Sequence, residues 1–174
     1  MATNFKRDLE RARKAEHLVY EVLNSATIDY SFAEVGDQSD YFYKGDIMVL
    51  DFNDNVCFVE VKNDSRIAET NNVLCEAKVY SYKQNEYLKG NMDSSYDYLA
   101  VVAQQINTIY IIDFDVLKKN YKRGKHYVKD HYDDYGCLAQ KTIGTLCSLN
   151  QIKSWGGLLY TLRYRENNGS YCVV

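Results

Sequence analysis

The sequence predicts an α/β protein, and three patterns carry that prediction. Apolar residues recur at helical spacing in residues 4–24. Residues 44–62 form two apolar arms around a polar turn, which is typical of a hairpin inside a sheet. Short β-branched segments then alternate with short helix signals to residue 174. Because 174 residues with 46% apolar content suffice for one core, a single domain over residues 1–174 is expected.

Composition narrows the class of protein. No stretch approaches the ~20 apolar residues of a membrane span, and the N-terminus lacks the apolar segment of a signal peptide, so a cytoplasmic protein with no membrane partner is expected. The cysteines are odd in number, mostly lie in apolar runs and form no C-x-x-C pair, which favours buried free thiols in a reducing compartment. They are Cys57, Cys75, Cys137, Cys147 and Cys172.

Charge is distributed unevenly along the chain. A net charge of -3 does not predict binding of nucleic acid by bulk electrostatics. Residues 26–64, however, contain nine acidic and two basic residues, whereas residues 115–165 contain ten basic and four acidic residues. An acidic centre with basic material elsewhere suits a metal-dependent enzyme that acts on a polyanion.

The first element is an amphipathic helix over residues 4–24. Its predicted buried stripe consists of Leu9, Ala12, Glu16, Val19 and Leu23. Glu16 is expected inside that stripe, where a carboxylate is usually paired or bound to metal. His17 and Glu21 point elsewhere and are expected in solvent.

A strand at residues 27–32 and a polar loop at residues 36–40 are predicted before the hairpin. If the hairpin turn is residues 53–55, Asp46 lies opposite Lys62 and Met48 opposite Glu60. The three charged side chains then share one face at one end of the hairpin. A two- or four-residue turn without a bulge would move Asp46 to the other face.

These charges predict a metal-assisted hydrolytic site. Two carboxylates on adjacent strands, with a third from the helix, can hold a hard cation such as Mg²⁺. A neighbouring lysine can orient water or stabilise charge on a phosphate under attack. The structural alternative is a cross-strand Asp–Lys pair and an exposed Glu, each worth under about 1 kcal/mol. That alternative suits these apolar arms poorly.

Downstream of a loop after Lys62, residues 73–82 fit both a helix and a strand, and we favour a strand with Glu76 on its less apolar side. Residues 90–95 are predicted as a turn or short helical piece, and Asp113 or Asp115 as the cap of a helix through Tyr121. An Asn168-Gly169 turn leads into residues 171–174. The other predicted elements are strands at residues 98–103, 108–112, 141–148 and 158–165 and a helix at residues 149–155.

Residues 122–134 show no apolar periodicity and are predicted as a loop. Basic residues here and on the first helix are candidates for nucleic-acid binding, with a solvated charged surface as the alternative. They are Arg7, Arg11, Lys14, Lys122, Arg123 and Lys125. A metal site is not predicted from His126, Asp130, His131 and Asp133, because they lack a thiol pair or a helical histidine pair.

The sequence G-D-I at residues 45–47, followed by E-V-K at residues 60–62 and preceded by a helical Glu, resembles the PD-(D/E)xK nuclease superfamily over residues 5–115. By that resemblance Glu16, Asp46 and Glu60 bind metal and Lys62 assists the attacking water. Gly45 stands where the motif name has Pro. E-V-K-N-D with a following E-T-N-N-V-L-C-E is similar to small phage and prophage members, although Asn71 replaces the Gly of their T-G-N segment, which leaves Glu76 without an assigned role.

The resemblance implies a restriction-endonuclease-like core, with a central mixed β-sheet flanked by helices. It implies an endonuclease that uses Mg²⁺, with Mn²⁺ as a substitute, and acts on DNA rather than RNA. A homodimer would suit paired cuts. Two alternatives stay open: an RNA endonuclease, and a nuclease fold used only for binding, as in a phage accessory or inhibitor protein.

Overall fold

The computed structural model describes residues 2–25, 31–34, 45–50, 55–133 and 135–174. Within them the helices are α1 (Ala2–Ser25), α2 (Ile67–Thr70), α3 (Phe114–Asn120) and α4 (Leu149–Ser154). The first strands are β1 (Ser31–Glu34), β2 (Ile47–Leu50), β3 (Val56–Asn63), β4 (Asn72–Ser81), β5 (Glu86–Lys89) and β6 (Tyr98–Ala103). The later strands are β7 (Thr108–Asp113), β8 (Lys125–Tyr132), β9 (Leu138–Ser148), β10 (Leu158–Asn167) and β11 (Ser170–Val173).

Seven strands form a central mixed sheet in the order β1-β2-β3-β6-β7-β10-β11. Strands β1, β2 and β3 are antiparallel neighbours, β3 and β6 run parallel, and the remaining pairs are antiparallel. The predicted α/β class and mixed sheet are therefore confirmed. A parallel pair requires a long crossover, which here runs from the end of β3 to the start of β6.

Helix α1 covers one face of the central sheet. Its buried residues are Ala15, Leu18, Val19, Val22 and Leu23, which pack with Ile47, Val49 and Val59. The predicted stripe is therefore partly wrong: Leu9 is 41% exposed and Ala12 is exposed, because the sheet covers only the later turns of the helix. Glu16 is half-buried beside this face.

Glu21 was also placed wrongly in solvent. Its carboxylate accepts a hydrogen bond from the Tyr171 backbone N–H at 2.8 Å, which ties α1 to β11. The partner lies 150 residues away in sequence, so helix periodicity alone could not predict this contact. His17 is exposed, as expected, and lies 3.5 Å from Glu21.

A second sheet covers much of the opposite face of the central sheet. It is antiparallel, with four strands in the order β5-β4-β9-β8. The core between the sheets includes Phe58, Val73, Cys75, Leu99, Ile112 and Cys147, and α3 and α4 complete it with Phe114 and Ile152. The strand reading of residues 73–82 is thus confirmed. Helix α1 therefore flanks one face of the central sheet, whereas the second sheet, with α3 and α4, forms the layer on the other face.

The β2–β3 register differs from the predicted one by two residues. Met48 pairs with Phe58 and Leu50 with Val56, so extending the register places Asp46 opposite Glu60 rather than Lys62. The connection is therefore longer than the predicted residues 53–55; residues 51–54 lie outside the described residues. Because a shift of two preserves the alternation of side chains, Asp46 and Glu60 still share a face.

The predicted loop at residues 122–134 is wrong, because β8 occupies most of it. Lys125 to Tyr132 pair along β9, so the backbone finds its hydrogen bonds in the sheet without an apolar side-chain pattern. The strand lies at an edge of the second sheet, where charged residues are common.

Most of the other local predictions are confirmed. Asp113 caps α3 by accepting the Val116 N–H at 2.9 Å, and Ser148 and Gln151 form a capping box on α4. Asn168 and Gly169 adopt positive φ in the β10–β11 turn. Of the first predicted strand, only the part from Ser31 is described, and residues 27–30 and the loop at residues 36–40 lie outside the described residues.

The five cysteines are free thiols, with Cys75 and Cys147 buried and Cys137 exposed. Among the described helices, none combines the length and apolar character needed to cross a membrane.

Candidate active site

Asp46 is fixed against β3 by two backbone contacts. Its N–H donates to the Val59 carbonyl at 2.8 Å, and its carboxylate oxygen Oδ2 accepts the Val61 N–H at 2.7 Å. These contacts bracket Glu60. Gly45 allows the close approach, because a Cβ there would lie 3.0 Å from the Val59 carbonyl oxygen and its φ is +154°. The pair Gly45-Asp46 thus sets a carboxylate beside β3 where β2 begins.

Glu60 is half-buried, and its surroundings strongly shift the pKa of its carboxyl group. Burial raises the pKa of its carboxyl from 4.5 to about 7, the charges of Asp46 and Glu16 add to the rise, and Lys62 opposes it. Burial also raises the pKa of Asp46, against the effect of the Val61 N–H. Two carboxylates that would be costly to ionise together therefore sit on neighbouring strands.

Lys62 projects from the same face of β3 as Glu60, two residues later. Its ammonium nitrogen Nζ lies 3.4 Å from Oε2 of Glu76 on β4, and both side chains are partly shielded from solvent. Lys62 and Glu60 are thus neighbours on one face of β3, whereas Lys62 forms its ion pair with Glu76 of the second sheet.

Glu76 is held in place by its surroundings. Its backbone N–H donates to Asn91 Oδ1 at 2.8 Å, and the pairing of β4 with β9 is irregular between Glu76 and Lys78. Gly90 packs so tightly here that a Cβ would lie 2.0 Å from the Glu76 carbonyl oxygen. Sequence reasoning left Glu76 without a role, because a bulge and a glycine contact determine where the side chain lies.

Glu16 approaches this group from the α1 side of the sheet. Alternation along β2 and β3 directs Ile47 and Val59 towards α1, so Asp46, Glu60 and Lys62 project from the other face. The Glu16 charge is the last-ranked of four influences on the pKa of Glu60. Glu16 is therefore close enough to affect the strand carboxylates electrostatically but belongs to the opposite layer.

Tyr96 is a site residue that sequence reasoning missed. It is 4% exposed, its ring stacks on Phe114 with centroids 3.9 Å apart, and its buried hydroxyl has no hydrogen-bond partner in the described part of the chain. Burial raises the pKa of this hydroxyl, and the charge of Glu60 is the next cause. Among 17 tyrosines, nothing in the sequence distinguishes this one.

An open groove of about 640 Å³ lies between α1 and the end of β3. Its lining includes Arg11 and Ala15 of α1, Val61 and Lys62 of β3, and Gln104. The groove therefore brings one of the predicted nucleic-acid-binding residues, Arg11, together with the candidate catalytic lysine.

The other candidate nucleic-acid-binding residues are exposed but dispersed. Arg7 and Lys14 lie on α1, and Lys122, Arg123 and Lys125 lie at the start of β8 and in the turn before it. Asp130, His131 and Asp133, from which no metal site is predicted, have other contacts. Asp130 pairs with Lys141 at 3.7 Å, and His131 Nε2 lies 3.1 Å from Thr142 Oγ1. Asp133 accepts the backbone N–H groups of residues 135 and 137.

The donor chemistry of this site suits Mg²⁺, which prefers carboxylate oxygens. A divalent cation would offset the burial and the repulsion by Asp46 that together raise the pKa of Glu60. Within the described residues, however, no group of three His, Cys, Asp or Glu side chains is arranged to hold a metal ion. The carboxylates that come together on one face are Asp46 and Glu60, and a third ligand would have to come from Glu16, from the substrate or from water.

Comparisons of the chain with protein-family models, with curated proteins and with solved structures return no significant match.

Proposed function

We propose that this chain is a Mg²⁺-dependent endonuclease that hydrolyses phosphodiester bonds, with DNA as the preferred substrate. The observation that carries the proposal is the grouping of Asp46, Glu60 and Lys62 on one half-buried face. Half-buried carboxylates on neighbouring backbone segments destabilise a fold unless a cation or hydrogen bonds compensate their charge, and a bound metal ion would do so here. The lysine two residues after Glu60 supplies the positive charge that phosphoryl chemistry needs.

The order of elements supports a restriction-endonuclease-like core. Helix α1 is followed by the antiparallel strands β1, β2 and β3, and β3 pairs in parallel with β6. Asp46 immediately precedes the second of these strands, and Glu60 and Lys62 lie on the third, which fits the resemblance of residues 45–47 and 60–62 to PD-(D/E)xK nucleases. The chain departs from a helix-flanked sheet in placing β4 and β5 in the crossover.

In this proposal Asp46 and Glu60 hold the cation, with Glu16 as a further ligand from α1. The cation, when bound, supplies Lewis-acid polarisation of the scissile phosphate. The Val61 N–H orients Asp46, and Asp46 in turn fixes the distance between the two carboxylates. Lys62 orients the attacking water and stabilises charge on the phosphate, and Glu76 holds its ammonium group in reach.

The test is cleavage of supercoiled plasmid and of single-stranded DNA by the purified chain, with Mg²⁺, with Mn²⁺ and with EDTA. Metal-dependent nicking is expected, and Glu60→Gln or Lys62→Met is expected to lower its rate by about 10²-fold or more. Glu166→Gln on β10 and Lys153→Met on α4 are matched controls, because both side chains are exposed. Cleavage by Glu60→Gln and Lys62→Met at the rate of these controls would overturn the proposal.

A second candidate function is binding without cleavage. Two observations favour it: Lys62 already has a carboxylate partner in Glu76, and the described residues contain no arranged set of three metal-binding side chains. Titration calorimetry with Mn²⁺ separates the two functions. Saturable binding that Glu60→Gln abolishes supports the nuclease, whereas no binding supports the binding protein. Repeating the cleavage assay on RNA tests the RNA endonuclease.

A further inference from the structure

Three tyrosines cluster on the β4–β5 hairpin of the second sheet. The ring centroids of Tyr80 and Tyr87, which face each other across the strands, are 4.9 Å apart, and those of Tyr80 and Tyr82 are 5.0 Å apart. Tyr87 is 61% exposed. The Tyr80 hydroxyl donates to Asn85 in the turn, which fixes the ring beside its neighbours. The hairpin therefore presents ordered aromatic rings to solvent.

Lysines border these rings. Lys78 and Lys89 are directly opposed on β4 and β5, and Nζ of Lys78 lies 5.8 Å from the centre of the Tyr87 ring. Both lysines are exposed, and neither has a carboxylate partner among the described residues. Directly opposed like charges destabilise a hairpin. A bound anion would remove that cost, so the pair favours a polyanionic ligand.

The same face continues onto β9 and β8. Tyr80 is paired with Lys141, and Lys141 with Asp130, so these side chains project in the same direction. Tyr82 and Asp130 raise the pKa of the Lys141 ammonium group, which indicates that Tyr82 also lies close to Lys141. Asp130 lies 3.7 Å from Lys141 and offsets part of its charge, which leaves the lysines of the hairpin as the dominant positive groups. We name this surface the tyrosine–lysine face; it comprises Lys78, Tyr80, Tyr82, Tyr87, Lys89 and Lys141.

The tyrosine–lysine face is connected to the candidate active site by β4. Glu76, which contacts Lys62, and Tyr80 lie on the same strand. Four residues of extended chain span about 13 Å. A strand of nucleic acid that lies on the rings would therefore be held within a few nucleotides of Lys62.

We propose that the tyrosine–lysine face binds single-stranded nucleic acid, by stacking unpaired bases on its tyrosine rings and holding phosphates with its lysines. Exposed aromatic rings can stack only on bases that are free of their neighbours in the strand. A duplex keeps its bases stacked and paired in its interior, so it does not offer them. If the bound strand is then cleaved, unpaired segments are the substrate class of the nuclease; this part rests on the proposed function. Binding itself needs no metal.

The binding experiment uses the full chain in EDTA and a fluorescent oligo-dT, with anisotropy as the readout. Tyr87→Ala is expected to weaken binding about 5- to 100-fold, because one base loses its stacking partner. Tyr87→Phe, which keeps the ring, is expected to bind like the wild type. Tyr160→Ala is the matched control, because Tyr160 is 38% exposed on β10 of the other sheet.

Salt dependence tests the lysines. Replacing Lys89 with serine is expected to reduce the slope of log affinity against log salt concentration by about 0.7, the loss of one phosphate contact on a single strand. Three results would each overturn the inference: no binding of oligo-dT by the wild type at low salt, equal affinity for a hairpin duplex, or equal affinities of Tyr87→Ala and Tyr160→Ala. Cleavage in Mg²⁺ is measured separately, so intact binding with no cleavage overturns the nuclease alone.

Discussion

The inner strand β6 of the central sheet and the edge strand β8 of the second sheet differ sharply in how much of each is covered. In the central sheet, Leu99 to Ala103 of β6 are each no more than 1% exposed. In strand β8 of the second sheet, by contrast, every residue is exposed or half-buried. The candidate catalytic groups lie between these two extremes, where β3 of the central sheet meets β4 of the second sheet at the contact of Lys62 with Glu76. Burial perturbs their carboxyl groups, while the neighbouring open face leaves room for a polymer. In the proposed function, the buried groups carry out the chemistry and the exposed strands bind the substrate.

The largest expected effect tests the difference in coverage directly. Leu99→Ala in β6 is expected to lower the free energy of unfolding by about 2–5 kcal/mol, because Leu99 is fully buried and its removal leaves a cavity. Val128→Ala in β8, where Val128 is 49% exposed, is expected to cost under about 1 kcal/mol. Urea denaturation measures both. Equal losses would show that β8 is as tightly packed as β6.

An intermediate effect concerns pH. The folded-state pKa of Glu60 is about 7 against 4.5 for the ordinary carboxyl, so protonation stabilises the fold below about pH 4.5 and this contribution is lost as pH rises through about 7. Glu60→Gln removes that loss. In EDTA the variant should gain about 1–2 kcal/mol on the wild type between pH 5 and pH 8, after allowance for solvent screening.

Thermal unfolding across this pH range measures the gain, and Glu166→Gln on exposed β10 serves as the control. If the difference in stability between Glu60→Gln and the wild type is the same at every pH, the surroundings of Glu60 do not raise its pKa. The proposed contrast between a desolvated site and an open face would then lose its electrostatic basis.

The smallest expected effect concerns Tyr96. Its buried hydroxyl has no hydrogen-bond partner among the described residues, and an unsatisfied buried donor is costly. Tyr96→Phe should therefore stabilise the protein in EDTA by up to about 1 kcal/mol. Tyr164→Phe, in the core on the α1 face, is the matched control and should give no gain. Chemical denaturation reports both. A loss of stability in Tyr96→Phe would indicate that the hydroxyl is satisfied in solution.

Local chemistry made much of the fold predictable. The Asp113 cap and the Asn168-Gly169 turn follow from short sequence signals that act over a few residues. The alternation of the hairpin arms, together with a turn of an odd number of residues, predicted that Asp46 and Glu60 share a face. It could not identify their register, because a shift of two residues leaves every side chain on the same face.

Contacts between distant segments escaped prediction. Strand β8 forms because it pairs with β9, and its own residues show no apolar pattern that predicts a strand. The contact of Lys62 with Glu76 depends on a bulge and on Gly90, and the orphaned hydroxyl of Tyr96 depends on the packing of Phe114. For the site, sequence therefore supplied the carboxylates and lysine of β3 and its neighbour, while the supporting residues required the tertiary structure.

The pairing of β4 with β9 has a consequence for synthesis on the ribosome. β4 lies in the crossover beside Lys62, yet its partner strand ends at Ser148, and Cys75 and Cys147 meet across 72 residues. Contacts of such separation form only after the later segment has emerged. Asp46, Glu60 and Lys62 are therefore synthesised well before β9, the strand that pairs with β4 and its Glu76. Completion of the C-terminal third acts as the step that closes the site.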